Sequence, residues 1–127
     1  MLRVLLVGSG GFAGSVLRYL LSGTAQSIFR SATFPVGTLL VNISGCFLIG
    51  LLSQLAESRG AFSDSTRTLV FVGILGGYTT FSAFGNETMN LFRSGESSLA
   101  ILNITAQRGG GLACVWLGRT AAYLIWR

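Results

Sequence analysis

Residues 1–21 read MLRVLLVGSGGFAGSVLRYLL. An apolar run leads into glycines at 8, 10, 11 and 14, and apolar residues then resume around a single arginine, Arg18. Two folds compete for such a stretch. In a soluble enzyme it would be a strand, a glycine-rich phosphate loop and a helix. In a bilayer it would be one helix with small residues on one face. A dinucleotide site needs an acidic residue about 20 positions past the last glycine, within alternating strands and helices. The first acid here is Glu57, and it follows a charge-free run at residues 31–56, SATFPVGTLLVNISGCFLIGLLSQLA. The glycines therefore read as a close-packing helix face. Gly10 and Gly14 form GxxxG, Gly73 and Gly77 repeat the spacing, and Gly110, Cys114 and Gly118 continue it with small residues.

Composition agrees. The chain has 127 residues, which suits one domain. Half of them are hydrophobic, 10% are charged, and the mean hydropathy is +0.66. Soluble domains carry about 25% charged residues. A chain this short could not hide so much apolar surface from water, so the lipid bilayer is the expected solvent. The net charge is +5, all of its basic residues being arginine. They are scattered singly rather than gathered into a basic stripe, which argues against a nucleic-acid partner. Cys46 and Cys114 have no CxxC companion, and the chain lacks histidine, so a zinc site is not expected. The N-terminal segment resembles a signal peptide at first, but its hydrophobicity continues through Leu21, and a retained helix is the better reading.

A membrane helix needs roughly 20 residues, and four segments are long enough. They predict an all-α membrane protein: a single domain over 1–127, with transmembrane helices at 3–25, 33–57, 67–92 and 97–126. Arg30 and Arg93 fall on one side, and Arg3, Arg59, Arg67 and Arg127 on the other. The bias is slight for the positive-inside rule. A chain so weakly biased is expected to insert both ways and to pair antiparallel about an axis in the membrane plane.

The third segment holds GILGGYTTFSAFGNET, residues 73–88. Two adjacent glycines and two threonines at bilayer depth predict a break in that helix near 76–80. Non-helical backbone there must be buried in protein or line a cavity. Freed carbonyls could bind a cation, or a neighbouring helix could fill the kink. Phe81 and Phe84 share a face. They are either ordinary lipid-facing or core residues or, through the positive edges of their rings, solvent for a small anion, with Ser82 beside them. Asn42 either makes an interhelical hydrogen bond or offers its amide to an anion, with Thr38 one turn away. Arg18 and Glu87 lie toward the ends of their segments, where snorkelling is the ordinary role.

These motifs, GGYTTFSAF in the third helix, Gly37 to Asn42 in the second and GGFAGSVLRY in the first, resemble the Fluc (CrcB) family of fluoride channels. The resemblance covers nearly the whole chain. It implies a dual-topology antiparallel homodimer that exports fluoride passively across the bacterial inner membrane. It also implies a structural sodium ion at the dimer interface, held by the backbone carbonyls of Gly76 and Thr79. Carried onto this chain, the pore residues are Asn42, Phe81, Phe84, Ser82 and Thr80, and Arg18 and Glu87 flank the vestibule. Thr38 and Gln107 are further lining positions. Such a channel has no catalytic residues. The fourth helix departs from the family's hydroxyl track: Gly111 and Val115 offer no side-chain donor, and Arg108 stands near mid-helix. Two other classes share parts of this pattern. A small four-helix exporter of cationic drugs needs a carboxylate deep in its first helix, which is absent here. A non-transporting accessory subunit would not need the broken third helix.

Overall fold

The computed structural model describes residues 1–30 and 33–126. Ser31, Ala32 and Arg127 lie outside it, as does the side chain of Arg59. Helices account for nearly all the described residues, and no strand occurs among them. Helix α1 is Leu2–Phe29 and α2 is Val36–Arg59. Helix α3 covers residues 64–78, α-helical at Asp64–Arg67 and Gly76–Tyr78 and π-helical across Thr68–Leu75. Helix α4 is Phe81–Arg93. Helix α5 covers residues 97–125, with a π-helical stretch at Ala106–Gly110.

The boundaries follow local chemistry. Helix α1 continues past Ala25 and stops at Arg30, which takes the left-handed conformation at φ 46°. Helix α2 begins at Val36 and not at 33, because a proline disfavours helical geometry in the residue before it. Pro35 offers α2 no side-chain cap, and Gln26 of α1 supplies one. The Gly37 N–H donates to Gln26 Oε1 at 3.0 Å, and Gln26 Nε2 donates to the Phe34 carbonyl at 3.0 Å. Helix α3 starts at Asp64, earlier than the hydropathy suggests, because the Ser63 hydroxyl accepts from the Thr66 N–H at 3.2 Å.

Glycines set how closely the helices approach. A Cβ on Gly10 would lie 2.7 Å from the Leu69 carbonyl oxygen and 2.9 Å from Gly73 Cα, and one on Gly14 would collide with the Ile74 carbonyl. The contacts advance together along both chains, so α1 and α3 run in the same direction. Helices α2 and α5 do likewise: Asn42 meets Gln107, Cys46 meets Gly111, Gly50 meets the Val115 carbonyl and Glu57 meets Arg119. The expected close-packing faces are present: Gly10, Gly14, Gly73 and Gly77 all lie where α1 and α3 meet backbone to backbone, Gly77 against Gly11. Replacing Gly14 by leucine is expected to prevent α1 from seating, read as loss of the monodisperse peak in detergent chromatography. Replacing Gly8, which has nothing within 4 Å of its Cβ position, should leave the peak intact.

Apolar side chains point outward: Phe12 is 74% exposed, Leu112 75% and Trp116 66%. The interior is a thin seam of Val41, Leu75, Tyr78, Phe84 and Leu91 among small residues. Such a surface suits hydrocarbon, not water. Among the described residues, three helices are long and apolar enough to cross a membrane: Leu2–Phe29, Val36–Ser58 and the broken Asp64–Arg93. The fourth, α5, is long enough but less apolar, because Gln107, Arg108 and three successive glycines dilute its middle.

Candidate functional site

The α3–α4 break falls at Thr79 (φ −87°, ψ 156°) and Thr80 (φ −148°, ψ 112°). Two extended residues at this depth leave backbone groups that lipid cannot satisfy. Asn42, on the facing turn of α2, satisfies two of them. Its Oδ1 accepts from the Thr80 N–H at 2.8 Å, and its Nδ2 donates to the Thr80 carbonyl at 3.0 Å. The same Nδ2 donates to Gln107 Oε1 of α5 at 3.1 Å. A primary amide has two N–H groups, so both donors of Asn42 are engaged. Gln107 Nε2 is buried and has no partner.

Helix α4 restarts from a side-chain cap: Thr80 Oγ1 accepts from the Ala83 N–H at 3.2 Å. These substitutions have a consequence for the carbonyls at the break. In an unbroken helix the Thr80 N–H would bond the Gly76 carbonyl, and the Ala83 N–H would bond that of Thr79. Both donors are turned elsewhere, so the Gly76 and Thr79 carbonyls lose their helical partners. Gly76 is also exposed.

A cavity of about 330 Å³ opens beside the break, lined by Asn42, Thr79, Thr80, Phe81, Phe84 and Gln107 together with Cys46 and Phe71. The two phenylalanine rings meet edge to face, centroids 5.4 Å apart at 62°. Phe84 is buried, whereas Phe81 is 76% exposed. A second, more polar cavity of about 380 Å³ lies toward the α1–α2 connection. Thr38 Oγ1 donates there to Glu87 Oε1 at 2.6 Å, and Glu87 Oε2 is buried without a partner.

Comparison with known proteins decides the family. The sequence profile described as CrcB-like protein, Camphor Resistance (CrcB), matches residues 5–119. The chain belongs to the CrcB family. The Fluoride-specific ion channel FluC of Chlorobaculum tepidum is 46% identical to it, over 98% of this chain and 97% of the relative. Fluoride-specific ion channel FluC 1 of Methanosarcina acetivorans is 44% identical, over 96% and 92%. The FluC protein of Methylobacillus flagellatus is 44% identical, over 93% and 92%.

Within this CrcB-family chain, the residues singled out from sequence do not all converge. Asn42, Thr80, Phe81, Phe84, Gln107, Gly76 and Thr79 share the first cavity. Thr38 and Glu87 share the second. Ser82 is exposed, and its hydroxyl lies 3.3 Å from Thr80 Oγ1. Arg18 is half-buried on α1 and lines neither of these cavities. Two pairings escaped the sequence reading. Arg119 forms a two-pronged bridge to Glu57, at 3.0 and 2.7 Å, and so joins the arginine-rich end. Asn103 and Thr88 are hydrogen-bonded between α4 and α5. No spacing rule joins either pair, since both depend on which helices become neighbours.

Proposed function

We propose that the protein is a fluoride-selective channel, which lets fluoride leave the cytoplasm passively across the inner membrane of a bacterial cell. The observation that carries this reading is the near-full-length likeness to curated fluoride-specific channels, which spans the broken helix and its cavity. The cavity chemistry is compatible with it. A small, strongly hydrated anion needs several weak donors; a fixed charge in the narrow part would hold it too tightly for exit. Ring edges of Phe81 and Phe84, the hydroxyl of Thr80 and the unpartnered Gln107 Nε2 are such donors. Asn42 acts here mainly by holding the break and orienting Gln107. Ser82 extends the polar wall through Thr80, and Arg18, Glu87 and Thr38 belong to the outer approach. Conduction of this kind makes and breaks no covalent bond.

The working unit in this reading is an antiparallel homodimer. Phe81 protrudes from its protomer, and Gly76 is exposed with its carbonyl lacking a helical partner, as expected of groups that meet a second copy. The Gly76 and Thr79 carbonyls suit a sodium ion at that interface, since hard cations take oxygen ligands. The ion would satisfy backbone that the break leaves open. Dual insertion is tested with a topology reporter fused at the C-terminus: signal from both sides of the membrane is expected, and signal from one side alone would reject the antiparallel arrangement.

Function is tested by fluoride efflux from sodium-loaded liposomes containing the purified protein, followed with a fluoride electrode against a chloride control. Rapid fluoride release with little chloride release is expected. No release from monodisperse protein would reject the channel.

A further inference from the structure

Helix α4 carries both phenylalanines of the cavity, yet the extended residues at 79–80 cut it off from α3. Its orientation cannot be inherited through a continuous helical backbone. Thr80 and Asn42 hold its first residues, but they do not fix how the next turns roll about the helix axis. That roll decides where Phe81 and Phe84 point.

Two side-chain ties bear on it: the half-buried Thr38–Glu87 bond to α2 at 2.6 Å, and a fully buried one to α5. Asn103 of α5 is 0% exposed, and its Nδ2 donates to Thr88 Oγ1 at 3.0 Å. Thr88 is itself buried, and its hydroxyl donates to the Phe84 carbonyl at 2.8 Å. A hydroxyl has one proton, so the direction is fixed: Asn103 amide to Thr88 hydroxyl to Phe84 carbonyl. Asn103 Oδ1 is buried with no partner. The amide therefore brings a desolvation penalty that an apolar residue of similar size would avoid, and the donor it presents to Thr88 is what it supplies in return.

We infer that Asn103 is a positioning residue for anion passage: through Thr88 it sets the roll of α4 and so the aim of Phe84 into the cavity. The inference rests on the channel reading above. Loss of the relay should degrade discrimination between anions, because selectivity needs ring edges held in place, whereas simple filling of the α4–α5 seam needs only volume.

The test compares Asn103→Leu, Thr88→Val and their double variant with wild type, in liposomes with matched amounts of monodisperse protein. Thr88→Val keeps the shape and removes both hydrogen bonds, while Thr88→Ser keeps the hydroxyl. Asn103→Leu and Thr88→Val should each lower the fluoride-to-chloride flux ratio by about tenfold, a barrier change that one rearranged contact readily produces. Two changes to one relay should not add, so the double variant should match the singles. Thr88→Ser should restore the wild-type ratio.

Wild-type ratios in Asn103→Leu and Thr88→Val, or equal losses in Thr88→Ser and Thr88→Val, would overturn the inference and leave the channel reading intact. Should Asn103→Leu fail to fold, the Thr88 pair decides alone. Absence of fluoride flux in wild type would overturn both readings together.

Discussion

Phe81→Ile reduces fluoride efflux to the leak of protein-free vesicles and leaves the helical fold unchanged. The expectation follows from the unequal burial of the two rings. Phe81 is 76% exposed in the protomer and contributes little to its core, whereas Phe84 is buried. The Phe81 ring meets Phe84 edge to face, and both residues line the cavity, where the hydrogens of a ring edge carry the positive end of its quadrupole. Isoleucine fills similar space but has no quadrupole to offer an anion. A barrier higher by only about 1.4 kcal/mol slows passage tenfold, and losing a ring-edge contact in a site of few donors should exceed that. The checks are efflux and a thermal melt on the same preparation. Normal efflux with a normal melt would remove Phe81 from the conduction path.

Asn42→Leu has the opposite profile: it damages the fold as well as the flux. Three hydrogen bonds meet at this amide, two of them to the extended backbone of Thr80. Leucine would leave the Thr80 N–H unsatisfied away from water and take from the Thr80 carbonyl the second of its partners, since an N-cap carbonyl already accepts the first bond of its helix. An unsatisfied buried group costs about 1–3 kcal/mol, a sizeable part of a small protein's stability. The variant is expected to melt below wild type and to lose the monodisperse peak in detergent chromatography. Asn42→Asp keeps the acceptor for the Thr80 N–H and should fold better than Asn42→Leu. Its carboxylate would repel an anion, so flux stays low while stability partly returns. Equal melting temperatures for wild type and Asn42→Leu would show that the break holds itself open.

Together these variants separate two kinds of residue at one cavity. Asn42, Thr80 and the Ala83 N–H hold an interrupted helix in a medium that tolerates no loose backbone. In the proposed channel, Phe81, Phe84 and Gln107 present the groups that an ion would meet. The distinction depends on counting donors: Asn42 is drawn into the scaffold because both of its N–H groups already have acceptors.

Much of the architecture was legible in the sequence because hydrocarbon imposes simple rules. Residues 31–56 carry no charge, so they had to be a span and not a nucleotide-binding unit. Glycines at four-residue spacing had to lie on one helix face, and Gly10, Gly14 and Gly73 do pack backbone to backbone. The pair Gly76–Gly77 followed by Thr79–Thr80 marked the break, because glycine weakens a helix and threonine hydroxyls can cap a restarted one. Tertiary structure alone decided the partners. Hydropathy cannot say that Asn42 faces Thr80 and Gln107 and not a lipid chain. Nor can it say that Gln107 keeps an unpartnered N–H, or that Asn103 reaches Phe84 through Thr88. Helix periodicity fixes which side of a helix a residue occupies. What that side meets is fixed by the glycine-set approach of α1 to α3 and of α2 to α5, and that approach joins residues far apart in the chain.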